Sequence, residues 1–177
     1  MIRLLLATFI MVAAWGCQTI PESEADRTAQ HADVRRTVEQ MTAKDPAVKQ
    51  FRQSAYAYAV FPKIGTGGLV LGGAFGRGQV FLDDELVGYC KVTEGTIGAQ
   101  VGGSSYSEMI FFKDKASFDR FIKGQFAFQA SASAVAVEAG DGSNASYSDG
   151  VAVFTMGYTG LKLQAAIGGQ QFAFVPH

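Results

Sequence analysis

Gly67-Gly68-Leu69-Val70-Leu71-Gly72-Gly73-Ala74-Phe75-Gly76, followed closely by Gln79-Val80-Phe81-Leu82, is the stretch that decides the fold of this chain. Each Gly costs a helix interior about 1 kcal/mol relative to Ala, so four paired glycines among apolar residues argue against a helix. Strands accept Gly where they bulge, bend sharply or let another backbone approach. Further pairs stand at Gly102-Gly103 and Gly168-Gly169. Strands bent this often favour a curled or closed sheet over a flat one.

Working outward, Asp83-Asp84-Glu85 is a polar break of hairpin type, and Leu86 to Val101 and Tyr106 to Phe112 read as the next strands. From Phe126 to Val137 nearly every second residue is small, as a strand requires where another layer comes close. Residues 140–150 are a loop by composition, and three short strands follow: Val151–Thr155, Leu161–Ile167 and Phe172–Val175.

Three helices complete the pattern. Val34, Val38 and Met41 recur at i, i+4 and i+7 between Arg27 and Lys44, giving one apolar stripe. Asp45-Pro46 is an N-cap followed by Pro in the first turn, with Val48, Phe51 and Ala55 on the inward side and Pro62 closing anything helical. Asp114 to Lys123 is the later helix, its apolar side made by Ala116, Phe118, Phe121 and Ile122, with Gly124 suited to its stop. The expectation is a β-rich α+β domain: a curled, barrel-like antiparallel sheet with two amino-terminal helices and one later helix packed against it. A composition of 48% apolar and 18% charged residues supplies a core and gives no reason for disorder.

Residues 1–17 read as a targeting segment. Arg3 precedes an apolar run of about 11 residues, Leu4 to Ala14, which at ~1.5 Å per residue is too short to span a bilayer. Ala14-Trp15-Gly16-Cys17 resembles a lipobox, in which cleavage before Cys17 leaves its sulfur to carry diacylglycerol. Gln18 rather than Asp at the next position tilts the destination towards the outer membrane, facing the periplasm. Residues 18–26 then form a tether and residues 27–177 a single domain. With Cys17 acylated, Cys90 has no partner for a disulfide and reads as a small core residue in its apolar surroundings.

Motifs of known chemistry are not visible along the chain. Fifteen basic and 16 acidic residues give a net charge of −1, so there is no global electrostatic case for nucleic acid. Gly65, Gly67 and Gly68 miss G-x-G-x-x-G because position 70 is Val. Gly102-Gly103-Ser104-Ser105-Tyr106 fails the nucleophile-elbow pattern at its last position, and His31 and His177 are the only histidines. No metal-ligand spacing, calcium-loop register or cofactor motif is visible, and Asp83 to Glu85 reads as a solvated turn. The chain therefore reads as a non-enzyme without metal or cofactor.

The remaining signal is basic. Arg27, Arg35, Arg36, Lys44, Lys49 and Arg52 gather in the first two helices, where a cation near an anionic membrane contributes about 1 kcal/mol. Glu22, Glu24, Asp26, Asp33, Glu39 and Asp45 offset them, which favours a core-packed first helix with a solvated face.

From Tyr56 onward the residues resemble the SYLF lipid-binding domain family, in its bacterial lipoprotein branch. The likeness is carried in order by Tyr58-Ala-Val-Phe-Pro62, Lys63-Ile-Gly-Thr-Gly-Gly68, Gly72-Gly-Ala-Phe-Gly-Arg-Gly78, Gly95-Thr-Ile-Gly-Ala-Gln100, Gly103-Ser-Ser-Tyr-Ser-Glu108, Ile110-Phe-Phe112 and Ile167-Gly-Gly-Gln-Gln-Phe-Ala-Phe174. It implies phospholipid binding without catalysis, and phosphoinositide and actin binding in eukaryotic relatives. The charge-balanced first helix and the lack of an appended module argue against those last two partners here. The expected membrane contacts are Arg35, Arg36, Lys49, Arg52 and Lys63, with Cys17 as the lipid attachment. The competing expectation is a structural or protein-interaction lipoprotein of the envelope, whose lipid is only an anchor.

Overall fold

A computed structural model of the chain describes residues 20–21, 23–68, 71–97, 104–124, 146–157, 160–164 and 170–177. Two helices lead, α1 over Glu24–Lys44 and α2 over Pro46–Ser54. Strands β1 (Ala57–Gly68), β2 (Leu71–Leu82), β3 (Glu85–Ile97) and β4 (Ser104–Phe112) follow, then α3 (Lys115–Ile122). Strands β5 (Val151–Gly157), β6 (Gly160–Gln164) and β7 (Gln170–Pro176) close the order. The expected leader and Cys17, the strand at 126–137 and residues 140–145 of the expected loop lie outside the described residues.

All seven strands join one antiparallel sheet in the order β6-β5-β4-β1-β2-β3-β7. Laid flat, seven strands would span about 29 Å. The chain between β6 and β7, at opposite edges, has only residues 165–169 to cover that gap and reaches about 20 Å at full stretch. The sheet must therefore curl, and contacts between strands far apart in the order bear this out. Phe61 of β1 meets Phe172 of β7 at 5.8 Å between ring centroids, and the Gln170 amide of β7 reaches Tyr106 and Glu108 of β4. The β-rich α+β expectation holds, with the sheet curled but, among the described residues, open rather than closed.

Where the helices lie on it the sheet is covered on both faces, which explains why its central strands are apolar at successive positions there. Ala57, Ala59, Phe61, Ile110, Phe112, Val151 and Val153 point into the curl, where Phe118 and Phe121 of α3 join them. Tyr58, Val60, Met109, Phe111, Ala152 and Phe154 point outward beneath Val34, Met41, Val48 and Phe51 of α1 and α2. Val34 and Met41 are the expected stripe of α1, joined by buried Thr37, while Val38 is half-buried.

Local signals explain most boundaries. Ser23 caps α1, its side chain accepting from the Asp26 amide at 3.0 Å, so the helix starts at Glu24 and takes in the end of the expected tether at 18–26. Asp45 caps α2, its carboxylate accepting from the Ala47 amide at 2.8 Å, and its own amide closes α1 on the Met41 carbonyl. Replacing this buried aspartate, Asp45→Ala, is expected to cost about 1–2 kcal/mol, with Asp45→Asn recovering most of it. Urea unfolding of the two variants decides this, and equal losses would show that the cap is not the cause.

One expectation is corrected and one holds. Pro62 does not mark a helix end: α2 stops at Ser54, and β1 is already under way at Ala57. Pro62 sits in a β-bulge, where the register shifts between Val60 and Lys63 against β2 and between Phe61 and Ile64 against β4. A Pro is tolerated in a strand at such a place because the ladder is interrupted there. The Asp83-Asp84 break is a two-residue hairpin turn between Leu82 and Glu85, with both aspartates at positive φ, 51° and 63°.

Candidate functional site

The outer face of the sheet is covered only as far as α1 reaches. At its carboxyl end, beside the Pro62 bulge, lies a groove of about 680 Å³ lined by Gln40, Lys44, Lys63, Ser105, Ser107 and Met156, among others. The Ser107 hydroxyl donates to the Pro62 carbonyl at 2.8 Å, tying the bulge to β4. Lys44 and Lys63 come from separate elements, are exposed, and enter no ion pair among the described residues. Two ammonium groups beside the Ser105 hydroxyl suit a phosphate-bearing anion, which takes charge from the former and a hydrogen bond from the latter, while the Ser107 proton stays on the Pro62 carbonyl.

The five expected lipid contacts do not converge. Lys63 alone lines the groove. Arg35 and Lys49 are exposed on α1 and α2, and Arg36 bonds Asp33 at 2.8 Å within its own helix. Arg52 is committed elsewhere: its guanidinium donates twice to the Asp84 carboxylate, at 2.8 and 3.0 Å, and lies 5.9 Å from the centre of the Tyr58 ring. Tyr58 donates to the same Asp84 oxygen. Partial burial raises the Asp84 carboxyl, but the bonds from Tyr58 and Arg52 prevail and hold it below its usual range. Burial, with the Asp84 bond, pushes the Tyr58 hydroxyl up to about 12. This cluster clasps α2 to the β2–β3 turn.

A second polar group sits inside the curl. Glu108 is fully buried, and the Gln170 amide donates to it at 3.4 Å and to the Tyr106 hydroxyl at 3.3 Å. Glu94 of β3 pairs directly with Gln170 in the ladder. Burial pushes the Glu108 carboxyl up to about 8, the Gln170 bond opposing and the Glu94 charge reinforcing the shift. At neutral pH it is mostly a neutral hydrogen-bonding group. Cys90 is also fully buried, and burial together with Glu108 raises its thiol well above the usual range, as the core role expected of it requires.

Sequence reasoning did not single out Lys44 as part of a site, and it passed over Arg77 and Lys91 altogether. One signal was present: the chain holds no Asp or Glu between Pro46 and Leu82, while Lys49, Arg52, Lys63 and Arg77 all fall there.

Fold and groove together define a curled-sheet α+β domain with a basic outer recess. No family model matches the chain. It is similar to Beta cell expansion factor A of Aeromonas veronii, being 30% identical over 132 residues, or 73% of this chain. The matched part is 49% of that protein, so the chain spans about half the length of this curated relative.

Proposed function

We propose that the chain is a non-catalytic envelope lipoprotein of the SYLF lipid-binding family, acylated at Cys17 and holding phospholipid through its folded domain. The ordered motifs from Tyr58 to Phe174 support the family, and the apolar leader ending at Cys17 supports an anchor in the outer membrane on its periplasmic side. The observation that carries lipid binding is the groove, where Lys44 and Lys63 stand across an open recess with no carboxylate paired to either among the described residues. A phosphodiester placed there meets two positive charges, and Met156 on the same wall gives an acyl chain an apolar contact. Among the described residues no helix is long and apolar enough to cross a membrane.

The test uses a leaderless Cys17→Ala chain. It is expected to bind a short-chain phospholipid below its micelle concentration, and Lys44→Ala with Lys63→Ala is expected to weaken this by about tenfold or more, since each cation contributes about 1 kcal/mol. Calorimetry reads both. A chain that binds neither anionic nor zwitterionic short-chain phospholipid overturns the reading.

A further inference from the structure

Strand register puts Lys63 of β1 opposite Arg77 of β2, and Arg77 opposite Lys91 of β3. Residues directly opposite in antiparallel strands point to the same face with Cβ atoms about 5 Å apart. The three cations therefore form one row across the outer face. The Pro62 bulge makes this possible. Val60 points outward, so unbroken alternation would aim Lys63 into the curl, and the extra residue restores it to the outside. Gln79 and Tyr89, the next pair towards α1, are buried, so the row begins where the helix cover ends.

Phe75 shares this face two residues from Arg77 and is 38% exposed. The Arg77 guanidinium lies 5.8 Å from the centre of its ring. Thr93, Gln171 and Ala173 continue the face without charge. Like charges directly opposite one another weaken a sheet. Lysines that protect sheet edges do not explain the row, because β1, β2 and β3 all lie inside the strand order. Lys63 and Arg77, like charges kept opposite one another inside the sheet and beside an exposed aromatic, are complementary to a surface that is anionic outside and apolar beneath.

We propose that the face bearing Lys63, Arg77, Lys91 and Phe75 docks on an anionic bilayer, its cations meeting lipid phosphates while Phe75 enters the interfacial layer. This rests on the phospholipid reading above and adds which face meets the membrane and which lipid charge it selects.

The only tryptophan of the chain is Trp15, in the leader, so a leaderless Cys17→Ala protein carrying Phe75→Trp has a single reporter on this face. Its emission is expected to shift blue with vesicles of phosphatidylcholine plus phosphatidylglycerol, far less with phosphatidylcholine alone, and less again as salt is raised. Arg77→Glu is expected to weaken vesicle binding about 25-fold, since one cation is worth about fivefold at such a surface and reversal counts twice. The same change seats a carboxylate opposite Lys63, so thermal stability should hold or rise, separating lost docking from lost folding. Phe75→Ser should weaken binding without changing its salt dependence.

If the protein binds anionic vesicles but Arg77→Glu and the tryptophan reporter are both silent, this face is the wrong one and the phospholipid reading stands. Retention by polyglutamate with no affinity for vesicles also overturns the docking proposal. If neither vesicles nor short-chain phospholipid are bound, both readings fall together.

Discussion

Raising the pH from about 5 to about 8 is expected to destabilise the fold steadily, and to do so far less in Glu108→Gln. The cause is the fully buried Glu108 carboxyl, whose ordinary value of 4.5 is pushed up to about 8 by desolvation first, with the Glu94 charge adding to it. Between those values the unfolded chain has released the proton and the folded chain still holds it. The unfolded state then binds fewer protons, so stability falls as pH rises, by about 1.4 kcal/mol per pH unit from this group alone. The loss begins near the unfolded value and levels off above the folded one. Across the window it amounts to roughly 3–5 kcal/mol, a large share of the ~5–15 kcal/mol that holds a domain together. Glu94, also raised by burial, contributes with the same sign. A glutamine at 108 has no proton to lose, and its amide adds donors to a cluster in which Glu108 Oε1 and Gln170 Oε1 both lack a partner among the described residues. Urea midpoints at intervals through this range decide the matter. A flat wild-type profile, or an equal slope in the variant, sinks the assignment.

What could be read from the chain beforehand was what neighbouring residues settle among themselves. Asp45-Pro46 announced α2, Asp114 and Gly124 bracketed α3, and the aspartate pair at 83–84 marked the hairpin, because caps and tight turns depend on residues within one turn of each other. The glycine pairs foretold a curled sheet for a similar reason. Contacts between distant positions stayed hidden. Pro62 looked like a terminator because a proline in a strand is legible only once its bulge is known. Arg52 looked free for lipid because Asp84, its partner, lies on the far side of two strands in sequence. Glu108, one acid in an apolar strand, meets its amide 62 positions later. The cationic row is the clearest case: Lys63, Arg77 and Lys91 are unremarkable singly, and only the register of three strands brings them into line.

The same sheet sets opposite outcomes for one added methyl group at two glycines. Gly78→Ala is expected to cost about 3 kcal/mol or more, at or beyond the upper end of the usual penalty for overpacking. Its Cβ would run into the Val60 carbonyl oxygen of β1, lie 2.8 Å from Cδ1 of buried Phe61 and come within 3.0 Å of the Cys90 sulfur on β3. The first obstacle is backbone, held in the ladder on one side by β2 and on the other by β4, so the strand cannot yield without dragging its neighbours. The second is a ring packed on Phe172 across the curl, where a change of rotamer finds no room. Gly65→Ala, thirteen residues earlier on β1, meets nothing within 4 Å. Its only large effect is on the unfolded chain, which loses conformational freedom, so the variant should be neutral or more stable by up to about 1 kcal/mol. Thermal melts of the two variants side by side separate steric conflict from a general intolerance of side chains at strand glycines. Equal shifts at both positions would mean that close approach of β1, β2 and β3 is not what keeps Gly78 a glycine.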